Sequence, residues 1–113
     1  VGRNGKYNAR RSLVDGILFD SGREAKRYQE LRLLEAGGKI RDLELQPVYQ
    51  LLDGFVHRGE RIRGITYRAD FRYFDIEKEC EVVEDVKGHK TEVYKLKRKM
   101  LLSRYPDIDF REI

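Results

Sequence analysis

The chain has 113 residues, enough for one domain and too few for two. Hydrophobic residues make up 40% and charged residues 39%, and seven Tyr and five Phe exclude a disordered polar chain. The 24 basic residues exceed the 20 acidic ones by enough to give a net charge of +4, which permits a nucleic-acid partner without requiring one.

Cys80 is the only cysteine. That rules out an intrachain disulfide and zinc sites of the four-cysteine or two-cysteine, two-histidine type, and a lone thiol suits a reducing cytoplasm. There is no apolar run of membrane-spanning length and no signal-peptide core, so no membrane partner is expected. A single domain over residues 1–113 is expected, its first eleven residues forming a flexible basic arm.

The arm, "VGRNGKYNARR", carries Arg3, Lys6, Arg10 and Arg11. It reads as a solvated tail or as a segment that lies on phosphates. Asp15-Gly16 between two apolar runs predicts a hairpin over residues 12–19, because a type I′ turn needs φ > 0 at both central positions. A helix follows, with Ser21 as N-cap, Gly37-Gly38 as stop, and Ala25, Tyr28, Leu31 and Leu34 on its buried face. "LELQPVYQLL" alternates like one strand, and Pro47 marks an edge or a bulge.

"DGFVHRGERIRG" reads as a long basic hairpin loop with Arg61 and Arg63. "ITYRADFRYF" and "CEVVEDVKG" are two further strands joined by the acidic turn "DIEKE". Thr91 caps a second helix, with Val93, Leu96, Met100 and Leu101 as its stripe. Pro106 stops it, and "IDFREI" closes as a strand. The fold class is α/β (α+β): a central mixed sheet flanked by helices, with an N-terminal β-hairpin.

Charges interrupt the strand "VVEDVKG". Side chains alternate along a strand, so Asp85 and Lys87 share a face and Glu84 points the other way. Counting back through the turn at 75–79 sets Asp70 opposite Glu84 or Asp85. Two carboxylates side by side are unfavourable unless a charge neutralises them, and a hard divalent cation does so with oxygen ligands. The plainer alternative for Asp85 and Lys87 is an exposed ion pair worth under about 1 kcal/mol. Glu24 adds a carboxylate at the start of the first helix. It stands three residues after Ser21, as in a capping box, yet also four before Tyr28 on the buried face.

Glu24 on the first helix, Asp70 in "RAD", and Asp85 and Lys87 in "EDVK" before a second helix resemble the PD-(D/E)xK nuclease superfamily. More closely, "FDSGREAKRYQELRLLEAGGKIRDLELQPVYQL", "ITYRADFRYF", "VVEDVKGHKTEVYKLKRKML" and "YPDIDFREI" are similar to a group of small phage and prophage proteins placed in it. Ala69 stands where a proline gives the motif its name.

The resemblance implies a restriction-endonuclease-like core and a Mg²⁺-dependent DNA endonuclease, with Mn²⁺ as a substitute ion. It implies branched DNA as a substrate, as for Holliday junction resolvases, and a host-cytoplasmic location if phage-encoded. Asp70 and Asp85 would be metal ligands, Glu24 a further ligand or the holder of a water, and Lys87 would orient the nucleophile. Gln46 and His89 are auxiliary candidates; Gln46 is equally readable as an exposed strand residue, and a solvated loop histidine is the favoured reading of His89. Arg10, Arg11, Arg61, Arg63, Lys90, Lys95 and Lys99 are candidate phosphate contacts. A homodimer would supply two cuts. The competing expectation is a noncatalytic DNA-binding phage accessory protein that keeps the fold.

Overall fold

The computed structural model describes residues 10–86 and 89–113. Ser12–Val14 (β1) and Ile17–Phe19 (β2) form the expected hairpin, with φ of 53° at Asp15 and 75° at Gly16. Gly22–Ala36 (α1) begins where Ser21 Oγ accepts the Glu24 N–H at 3.1 Å. Ala25, Tyr28 and Leu31 are buried as expected, but Leu34 is 37% exposed. Successive steps of three lag the helical turn, so Leu34 has drifted roughly 180° from Ala25.

The strand expected across residues 43–51 is two strands, Ile40–Leu45 (β3) and Val48–Leu52 (β4). They part at Gln46, whose φ is 52°, and at Pro47. The expected long basic loop contains a tight hairpin, Phe55–His57 (β5) and Glu60–Ile62 (β6), turned by Arg58 and Gly59 at positive φ. Ile65–Arg68 (β7) and Phe71–Asp75 (β8) are separated by a bend at Ala69-Asp70. Cys80–Asp85 (β9), Glu92–Arg104 (α2) and Asp109–Glu112 (β10) complete the chain.

The main sheet runs β10-β9-β8-β3, antiparallel except for β10, which is parallel to β9. β4 pairs separately with β7. Val82 and Val83 are both wholly buried, and alternation sends them to opposite layers. Val82 joins Phe71 and Tyr73 under α1 and the first hairpin. Val83 joins Ala69, Tyr67 and Tyr49 under α2. The fold is α+β, with a mixed sheet between two helices.

The buried stripe of α2 differs from the expected one. Tyr94 and Leu101 are buried, whereas Val93 and Leu96 are 62% and 59% exposed. Tyr94 serves both environments: its ring lies 6.2 Å from that of Tyr67, and its hydroxyl donates to Glu112 at 2.5 Å. Aliphatic spacing alone put the face about a quarter-turn away.

Candidate active site

The β8–β9 register pairs Asp75 with Cys80 and Phe71 with Glu84, so its next step brings Asp70 to Asp85. There the ladder changes character. The Asp70 N–H donates to the Glu84 carbonyl at 3.1 Å, and the Gln46 N–H donates to the Asp70 carbonyl at 2.9 Å. The Asp70 carboxylate accepts the Val86 N–H at 2.7 Å. Its side chain thus takes over as acceptor where the backbone ladder ends, which fixes the carboxylate at the sheet end.

Asp85 is 2% exposed, on the same strand face as Val83, and accepts a hydrogen bond from the Tyr67 hydroxyl. Glu84 points to the opposite layer and is wholly buried. The Arg27 guanidinium grips both its oxygens, at 2.7 and 2.6 Å, and the Tyr73 hydroxyl donates to it as well. This is a bidentate, hydrogen-bonded pair whose carboxylate is wholly buried and whose guanidinium is partly exposed. Of the two adjacent carboxylates, Glu84 is therefore neutralised by the fold.

Glu24, in the first turn of α1, shares a cavity of about 200 Å³ with Asp70, Gln46, Ile17, Phe19 and Phe71. Its carboxyl is pushed up to about 7, first by burial, then by the negative charges of Asp70, Asp20 and Asp85. The weak contact of Ser21 Oγ with Glu24 Oε1, at 3.5 Å, offsets little of this. The capping box is half built, since Ser21 accepts from the Glu24 N–H but no described bond returns from the Glu24 side chain to the Ser21 N–H.

Glu24, Asp70 and Asp85, the three expected ligands, lie at one end of the sheet, near enough for the charges of both aspartates to act on Glu24. Among the described residues, no group of three or more His, Cys, Asp or Glu is close enough to hold a metal ion. The Val86 N–H donates to the Asp70 carboxylate and the Tyr67 hydroxyl to that of Asp85. The donor chemistry does fit a hard cation: all three groups offer oxygen, and their mutual repulsion reaches Glu24. Lys87, expected beside them, lies outside the described residues, as do Arg3 and Lys6.

Gln46 is exposed at the cavity rim, and His89 is exposed just before α2. Lys90 pairs with Glu112 at 3.0 Å and Lys95 with Glu92 at 3.2 Å. Lys95, Arg98 and Lys99 line a shallow groove with Tyr94 and Glu112. Glu112 is the register partner of Asp85, so this basic groove starts beside the carboxylates. The Tyr94 hydroxyl and then Lys90 hold the Glu112 carboxyl below its usual range. Arg10, Arg11, Arg61 and Arg63 are exposed.

Sequence reasoning missed Tyr67, Arg27 and Asp20. Asp20 directly precedes the cap residue Ser21, and its charge was there to be counted. Arg27 finds Glu84 across 57 residues, and no local pattern announces that pairing.

No curated protein and no solved structure matches the chain. Residues 4–113 match one family, and the chain belongs to it: DUF1064, described as "Protein of unknown function".

Proposed function

We propose that this chain is a Mg²⁺-dependent DNA endonuclease that hydrolyses phosphodiester bonds, with branched DNA of the Holliday-junction type as the substrate to test first. One observation carries the reading: Glu24 and Asp70 face one cavity beside Asp85, and their proximity contributes to lifting Glu24 to about 7. Like charges gathered at one sheet end cost stability unless a cation is bound there. The order of the elements adds support. Glu24 comes on the first helix, Asp70 beside one strand, and Asp85 on the next before a second helix, as in the nuclease superfamily that the sequence resembles.

Asp70 and Asp85 would hold the ion, with Glu24 as a third donor or as the anchor of a water. The chemistry such an ion supplies is Lewis-acid stabilisation of charge growing on the phosphoryl oxygens. The chain's own groups do the rest. The Val86 N–H and the Tyr67 hydroxyl orient the two Asp carboxylates. Glu24 faces the cavity it shares with Asp70, where its carboxylate can accept a hydrogen bond from an attacking water and hold it in place. Lys87 follows Asp85 by two residues, and its ammonium would stabilise the developing oxyanion. Glu84 takes no part, because Arg27 and Tyr73 already occupy it.

The test is to incubate the protein with four-way-junction DNA, linear duplex, single-stranded DNA and RNA, each in Mg²⁺ and in EDTA. Cleavage of DNA in Mg²⁺ alone is expected. DNA binding without cleavage would favour the noncatalytic accessory protein.

A further inference from the structure

Among the described arginines, Arg98 pairs with Glu112, Arg23 donates to the Ile113 carbonyl, Arg10 and Arg11 lie exposed before β1, and the other ten fall into two groups. On the body of the fold, Arg27, Arg32, Arg41, Arg72, Arg104 and Arg111 each pair with a carboxylate. Arg58, Arg61, Arg63 and Arg68 are all exposed and form no ion pair with any described residue. These four lie in one run of chain, from the turn of the β5–β6 hairpin to the end of β7, and Asp70 follows two residues later.

The hairpin itself stands clear of the core. Every residue of β5 and β6 except Ile62 is exposed, including Phe55 at 48% and Val56 at 66%. Val56 pairs with Arg61, and both line a shallow groove with Arg63. The described chain has a radius of gyration of 16.5 Å and extents of 52 × 46 × 23 Å. A compact chain of this length has a radius of gyration of roughly 13 Å.

This projection is anchored rather than loosely tethered. A Cβ on Gly64 would lie 2.3 Å from the Leu52 carbonyl oxygen and 2.9 Å from the Gly54 nitrogen, backbone atoms that cannot yield. The two feet of the hairpin therefore cross in close contact, and Arg104 of α2 reaches Asp53 beside them at 3.4 Å. A ribbon held in a fixed direction loses little entropy on docking.

We infer that the Phe55–Ile62 hairpin, with the Arg63 that follows it, is a preformed basic ribbon that docks on double-stranded DNA, Arg61 and Arg63 meeting its phosphates, and that the arginines continuing to Arg68 lead the duplex to Asp70. The inference rests on the DNA reading proposed above and adds a substrate class, duplex rather than single strand. A two-stranded ribbon is of the width that the DNA major groove admits. Asp70 lies nine positions after Arg61, a span of at most roughly 32 Å. The grip thus falls within about one turn of B-DNA, ~34 Å, of the cut.

The test measures binding alone, in EDTA, by fluorescence anisotropy on a labelled duplex and its single strand across a salt series. Each phosphate contact contributes about 0.9 to the slope of log K against log salt on duplex. Arg61→Ala/Arg63→Ala should lower the duplex slope by roughly 1.8 and leave the single strand unaffected. Arg61→Lys/Arg63→Lys, which keeps both charges, should restore it. An unchanged duplex slope in the Ala variant, with unaltered circular dichroism, overturns the proposal. If light scattering then shows lost self-association, the ribbon contacts protein instead. Equal loss on the single strand overturns the choice of duplex. Cleavage is scored separately, so a duplex-binding protein that never cuts would sink the nuclease reading and leave the ribbon standing.

Discussion

Replacing Glu24 with Gln separates two roles that give opposite signs. If Glu24 mainly completes a helix cap, Glu24→Gln costs up to about 1 kcal/mol at any pH where the carboxylate is charged. If it is a strained carboxylate, the change relieves strain. Its pKa rises from 4.5 to about 7 on folding, so the unfolded chain ionises first as pH climbs. Folding stability therefore falls between pH 4.5 and about 7, and the full penalty applies above that. A lift of this size is formally about 3 kcal/mol. Solvent reaching the half-buried carboxyl screens it, leaving on the order of 1–2 kcal/mol. At roughly 5 °C per kcal/mol for a domain of this size, Glu24→Gln should raise Tm by about 5–10 °C at pH 8 in EDTA. At pH 4 the gain should vanish, because the parental carboxyl is then protonated. Thermal melts by circular dichroism at the two pH values are sufficient. A lower Tm at pH 8 would refute the strain argument and leave capping as the residue's contribution.

Three further outcomes are expected. Millimolar Mg²⁺ or Mn²⁺ should raise the Tm of the parental protein at low ionic strength, and the rise should shrink in Asp70→Asn and Asp85→Asn; a melting curve indifferent to the ions would count against a metal site. Arg27→Ala leaves Glu84 buried without its guanidinium and should cost about 3–5 kcal/mol in urea unfolding, whereas a loss under 1 kcal/mol would mean that Glu84 is not buried as described. Two strands of a junction need two centres, so light scattering at micromolar concentration should give a dimer; deleting residues 1–11 tests whether the arm takes part, and a clean monomer with and without DNA would end the dimer proposal.

Local signals were legible where local chemistry decides the structure. Asp15-Gly16 turned its hairpin, and Ser21 and Thr91 capped their helices. Pro47 warned of the break between β3 and β4, but the bend at Ala69-Asp70 left no mark; there the Asp70 carboxylate accepts the N–H of Val86, which follows β9, a contact between distant segments. The face of α2 was misread because Tyr94 is amphipathic and was passed over for Val93 and Leu96. At the candidate site, the closeness of Asp70 and Asp85 followed from counting through a short turn. That Glu84 is neutralised, and that Tyr67 takes Asp85, depends on side chains brought together from distant segments, which periodicity does not encode.

The central claim, that these carboxylates do metal-dependent chemistry on DNA, is met most directly by one comparison. Parental protein, Asp70→Asn, Asp85→Asn and Lys87→Ala are incubated with a labelled four-way junction in Mg²⁺, with binding followed on the same substrate in EDTA. Asn keeps an acceptor oxygen for the Val86 N–H and the Tyr67 hydroxyl while removing the charge, so the fold and DNA binding should persist. The account predicts cleavage by the parental protein and none by the three variants, with affinity largely retained. A variant that cuts at near the parental rate, or a parental protein that binds the junction and never cuts it, would contradict the account.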